Sequence, residues 1–189
     1  MTAYTLRPAT DGDFDFLFDL HRAAMGQYIA SIWGWHDDWQ AEYFRRKFDP
    51  HARQIIQVDG VDAGVLVVEH RGQELYLGLI ELLPAFQGRG IGTAIVEALK
   101  QTAHAAGQPV TLHVLRTNTS ARRLYERLGF AVTEEEEVRL QLRCSPPTTA
   151  HELNKPGRGQ ALSKIQRPAG EHQCHVAIAI RPCSAPWRA

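Results

Sequence analysis

The sequence predicts one α+β domain, a mixed and mostly antiparallel sheet with helices packed on it, followed by an irregular tail. Three observations carry that expectation. Runs rich in β-branched and aromatic residues recur between 54 and 83, and the turns between them are too short for crossovers. The last of these runs passes through a glycine-rich turn into a helical pattern and then a further strand, and a helix between two strands makes them parallel. Composition breaks near residue 144: all three cysteines (Cys144, Cys174, Cys183) and six of the ten prolines lie from there on.

Charge divides at the same place. The chain is formally neutral, but residues 1–143 carry a net −4 and residues 144–189 a net +4. Overall neutrality gives no reason to expect nucleic acid or an anionic membrane as partner. No apolar stretch approaches the ~18–20 residues that a bilayer span requires. The N-terminal stretch carries Asp11, Asp13 and Asp15 in place of a signal-peptide apolar region. The expectation is a soluble, cytoplasmic protein with a domain at 1–143 and a disordered tail at 144–189.

Tyr4 to Arg7 reads as a first strand, stopped by Pro8. Thr10 or Asp11 then caps a helix whose apolar positions are Phe14, Leu17 and Phe18, with His21 and Ala24 continuing the period. Residues 25–48 hold three of the four tryptophans. They read as a second helix or helix pair packing aromatics on a sheet, or as the wall of a pocket. Gln54 to Val58 and Val61 to Glu69 flank Asp59-Gly60, a strong hairpin signal, and Gly64 suggests a bulge. After Arg71-Gly72, residues 73–83 form the next strand. Its alternation sets Glu81 opposite in facing to Ile80 and Leu82, towards either an acceptor or a packed helix.

The turn Pro84 to Thr93 precedes a helix with Ile91, Ala94, Ile95, Ala98, Leu99 and Thr102 on one stripe. Glycines ahead of a helix let an anion approach main-chain N–H groups at the positive end of the dipole. Gly107 ends the helix, and Pro109 to Leu115 is a strand in which His113 faces away from Val110, Leu112 and Val114, with no catalytic role expected. Thr117 to Ser120 offers N-caps to a helix that groups Ala121, Leu124, Tyr125 and Leu128 and ends at Gly129. A strand pair follows, from Phe130 and over 138–142, with Glu134 to Glu137 as a solvated turn or edge. In the tail, His172, Cys174, His175 and Cys183 match no common zinc spacing, and Val176 to Ile180 is a short apolar run.

Two motifs together resemble the GCN5-related N-acetyltransferase family: Gln87-x-x-Gly90-x-Gly92, and Asn118, Ala121, Tyr125, Gly129 and Phe130 in their order and spacing. The resemblance covers residues 3–143. It implies a three-layer fold with helices on both faces of the sheet, and acetyl-CoA as cosubstrate without a metal. It implies direct acetyl transfer to an amine, on a small molecule or a peptide, and leaves a homodimer through the last strands open. The pyrophosphate would lie on the amides of Gln87, Gly88, Arg89, Gly90, Ile91, Gly92 and Thr93. The cofactor arm would pair with Leu82 and Leu83 and bond to Asn118. Tyr125 would protonate the leaving thiolate, and Glu81, the ionisable group near the strand end, is the candidate base. A non-catalytic acyl-CoA-binding module and an interaction protein working through its tail are the competing readings.

Overall fold

The computed structural model describes residues 3–147. Seven strands form one sheet: β1 (Thr5–Pro8), β2 (Gln54–Val58), β3 (Val61–Arg71), β4 (Glu74–Leu82), β5 (Val110–Leu115), β6 (Ala131–Glu135) and β7 (Arg139–Cys144). Their spatial order is β1-β2-β3-β4-β5-β7-β6. β4 and β5 pair in parallel, and every other neighbouring pair is antiparallel. The helices are α1 (Phe14–Trp33), α2 (Asp37–Lys47), α3 (Ile91–Ala105) and α4 (Thr119–Arg127).

Alternation along β2 and β3 sends neighbouring residues to opposite faces and so builds two cores. Ile56 and Leu66 pack with Ile91, Ile95 and Val96 of α3 and Tyr125 of α4. Ile55 and Val65 pack with Leu17 and Leu20 of α1 and with Phe44 and Phe48 at the end of α2. The result is the three-layer α+β arrangement that the sequence predicts.

The segment after residue 24 differs from expectation at one point. Residues 25–33 do not start a new element; they prolong α1 to 20 residues, until Gly34 at φ 80° turns the chain. Glycine takes that φ without the penalty a Cβ would bring. α2 then packs back, with Phe44 and Phe48 edge-on to Phe14 at 5.6 and 5.2 Å. β1 is tied in by Arg7, which bonds Asp13 at 2.7 Å and also Asp62 of β3. Cys144 belongs to the sheet rather than to the tail. It is the last residue of β7, it is buried, and its carbonyl accepts from His104 Nε2 at 3.3 Å. The expected tail disorder, the His172–Cys183 cluster and the apolar run 176–180 lie outside the described residues. Among the described residues no helix is long and apolar enough to cross a membrane, and no three His, Cys, Asp or Glu side chains are grouped to hold a metal.

Candidate active site

β4 and β5 pair over only three positions, Leu75↔Val110, Tyr76↔Thr111 and Leu77↔Leu112. Beyond them β4 continues to Leu82 and β5 to Leu115 without bonding to each other. The separation begins at a bulge. Val67 faces Leu79 and Val68 faces Leu77, so Gly78 has no opposite residue on β3. A bulge bends and twists its strand, which turns the rest of β4 away from β5. A Cβ at 78 would lie 3.3 Å from both Val67 Cγ1 and Glu69 Oε1, so glycine suits the crowded bulge.

The gap opens into two cavities. The larger, about 560 Å³, runs from the 87–93 turn along the end of β4 to α4, with Met25 and Tyr28 of α1 on its far wall. The smaller, about 90 Å³, lies between the diverging strands. Glu81, Asn118 and Tyr125 border both.

The turn lies at one end of the larger cavity. Gln87, Gly88, Gly90, Ile91, Gly92 and Thr93 border the larger cavity. Gly88 and Gly90 take φ of 71° and 81°. Ala94 is the first residue of α3 whose N–H finds a helical partner, Gly90 O at 2.9 Å. The N–H groups of Ile91, Gly92 and Thr93 therefore point out of the helix end. Gln87 Nε2 donates to Leu82 O at 2.8 Å and ties the turn to the strand end. Arg89 does not border either cavity; its guanidinium lies 5.2 Å over the Phe86 ring.

At the strand end, Leu82 and Leu83 part company. Leu83 donates its N–H to Ala63 O at 2.9 Å and packs into the α1–α2 core. In an antiparallel ladder that bond assigns Leu83 and Glu81 to β3, so the N–H and C=O of Leu82 and Ile80 face the open side. Leu83 is thus corrected: it offers the cleft neither side chain nor N–H. Asn118 caps α4, its Oδ1 accepting from Ala121 N at 3.1 Å. The side-chain group it has left to offer the cavity is the Nδ2 donor. Tyr125 is buried, edge-on to Phe130 at 5.6 Å, and burial pushes its phenol pKa well above the ordinary value.

Glu81 faces α1. It is 5% exposed, and its Oε1 meets His21 Nδ1 at 2.8 Å. His21 was legible only as a member of an apolar helix stripe. The available signal was that an imidazole on such a stripe needs a polar partner when buried. His113 does face away from Val110, Leu112 and Val114, but towards the smaller cavity. Its Nδ1 lies 3.0 Å from Tyr76 Oη, and burial lowers its pKa.

Residues 63–140 match a family model described as FR47-like protein. That stretch contains the divergence, the turn, Asn118 and Tyr125. Over this stretch the chain is similar to FR47-like members of the GCN5-related N-acetyltransferase family. Two similar curated proteins are uncharacterized N-acetyltransferases. YycN of Bacillus subtilis is 36% identical over 67 residues, 35% of this chain and 43% of that protein. MJ1207 of Methanocaldococcus jannaschii is 28% identical over 145 residues, 71% of this chain and 62% of that protein. The chain thus spans less than two thirds of either. Among solved structures, the PaiA N-acetyltransferase of Thermoplasma acidophilum in complex with coenzyme A has a TM-score of 0.62 at 15% identity, over 76% of this chain and 99% of that one. The ribosomal-protein-S18-alanine N-acetyltransferase of Escherichia coli has a TM-score of 0.56 at 18% identity, over 80% and 99%. At such identities these two establish the shared acetyltransferase fold.

Proposed function

We propose that the chain is a cytoplasmic N-acetyltransferase that moves an acetyl group from acetyl-CoA directly to an amine on a small molecule or peptide. The observation that carries this reading is convergence. The unpaired end of β4, the exposed N–H groups of α3, Glu81 and Tyr125 all meet at one cleft. The coenzyme A complex of the similar PaiA structure supports the choice of cosubstrate.

The pyrophosphate lies on the N–H groups of residues 87–93, where main-chain donors and the helix dipole favour negative charge. The pantetheine arm runs beside Ile80 and Leu82 as an added strand would, with Asn118 Nδ2 as a side-chain donor. The acceptor ammonium gives a proton to Glu81. Its nitrogen then bonds to the acetyl carbon, the carbon–sulfur bond breaks, and the Tyr125 hydroxyl protonates the departing thiolate. The second proton lost by the nitrogen restores the phenol. A phenol with a raised pKa is fully protonated at neutral pH and ready to donate. Holding two reactants together in one cleft supplies much of the acceleration.

Calorimetric titration with acetyl-CoA, on the unaltered chain and on Gly90→Glu, tests the reading. A carboxylate in the cradle repels the phosphates, so binding should disappear in a variant that still folds. Thiol release with spermidine, glycinamide and a lysine-containing peptide should then find an acceptor. Absence of acetyl-CoA binding by the folded, unaltered chain would end the reading.

A further inference from the structure

We infer that His21 is a positioning residue for acetyl transfer: from α1 it holds the Glu81 carboxyl so that one oxygen stays turned to the acceptor. The inference rests on the proposed role of Glu81 as base and adds the group that aims it.

Glu81 sits on the last turn of a strand that has no partner on one side, so the sheet alone does not fix its side chain. Its carboxyl reaches across to α1. An ionised carboxylate only accepts hydrogen bonds, so the 2.8 Å contact requires the proton on His21 Nδ1. That bond occupies Oε1. Oε2 has no hydrogen-bond partner among the described residues, and Glu81 borders both cavities. His21 itself borders neither and so acts through Glu81. Its ring is held by tilted contacts with Trp35 at 6.1 Å and Phe44 at 5.7 Å. A second charged group, Arg53, is buried on the same side, over Phe44 at 5.9 Å and Phe48 at 5.3 Å, and Glu81 is one of the two carboxylates that favour its charge. Its guanidinium bonds Asp49 O at 2.5 Å. The hydrogen bond to the Glu81 carboxyl comes from His21.

The chemistry asked of the pair balances simply. Oε2 takes one proton from the acceptor ammonium, the carboxylate becomes a carboxylic acid, and nothing is oxidised or reduced. Aim decides the rate, because a displacement of ~1 Å in a reacting group can cost about 10²-fold.

The test compares His21→Leu, His21→Asn and Glu81→Gln, singly and as His21→Leu/Glu81→Gln, by thiol release from acetyl-CoA with the fastest amine of the panel above. His21→Leu should lower kcat 10- to 100-fold and leave KM for acetyl-CoA unchanged. His21→Asn, whose Nδ2 donor stands near the place of Nδ1, should restore most of the rate and serves if the leucine variant does not fold. In the Glu81→Gln background, His21→Leu should cost nothing further. A His21→Leu protein that keeps normal kcat while Glu81→Gln has lost it, an equal loss from His21→Leu in both backgrounds, or a folded His21→Asn protein as slow as Glu81→Gln would overturn the inference and leave the base assignment standing. Full kcat in Glu81→Gln would remove the base reading instead. Absence of turnover with every panel amine would remove acetyl transfer itself.

Discussion

Burial raises the Tyr125 pKa, with no contribution from a charged group among the described residues. Two outcomes follow. Tyr125→Phe removes one hydroxyl from a close-packed site, so kcat should fall about 10²- to 10³-fold while calorimetry finds acetyl-CoA binding nearly unchanged. A kcat within twofold of normal would show that the thiolate leaves unaided. The pH dependence has a definite sign. A folded pKa above the unfolded value of ~10 keeps the phenol protonated throughout the neutral and mildly alkaline range. The rate should therefore show no alkaline fall below about pH 10 from this group. The linked stability is complete below the unfolded pKa and is lost as pH rises through the folded one. Single residues were unevenly legible. Tyr125 and Asn118 stood out by spacing. Leu83 did not separate from Leu82, although successive strand residues alternate in main-chain direction as well as in side chain, so that only one of the two can serve the open side. His21 was hidden because a helix stripe reports burial and says nothing of a partner 60 positions away in sequence.

The elements make sharper tests of what the glycines are for. Gly92 lies inside α3 without positive φ, and a Cβ there would meet nothing within 4 Å. The fold does not need glycine at this position, and Gly→Ala at a compatible site stabilises by about 0.4–1 kcal/mol. Gly92→Ala should raise the melting temperature and weaken acetyl-CoA binding, because the new methyl enters the cradle. A variant that gains stability and binds equally well would show that the phosphates do not approach residue 92. Gly64 is the opposite case. A Cβ there would run into the Glu81 carbonyl oxygen and come 2.7 Å from Leu82 Cδ2. Gly64→Ala must push the end of β4 aside, and both the melting temperature and kcat should fall. Equal kcat would mean that the strand end absorbs the shift without moving Glu81. The meander, the amphipathic α3 and the parallel crossover were legible because each has its own period. The separation of β4 from β5 was not, since nothing in the alternation around Gly78 distinguishes a bulge from a plain strand; the pairing partner on β3 decides it.

At the scale of the molecule, the two cores and the cleft seen among the described residues lie between 3 and 147. We propose that a chain stopped after Pro147 folds cooperatively and binds acetyl-CoA as the full chain does. The composition break placed the boundary before Cys144, because cysteines cluster beyond it. Pairing places it later. Cys144 faces Val110 across the β5–β7 ladder, is 6% exposed, and is carried by the same strand end that accepts from His104. A chain stopped after Arg143 loses that pairing at the centre of the sheet and leaves the space beside Val110 and Gly129 unfilled. Truncating a buried side chain and its ladder contacts costs about 2–4 kcal/mol. Thermal melts of the two truncated chains should therefore differ, with the 1–147 chain matching the full protein and the 1–143 chain melting several degrees lower. Equal melting of both would mean that the β5–β7 ladder closes without its last residue. A 1–147 chain that melts well below the full protein would show that residues 148–189 contribute to the stability of the folded domain.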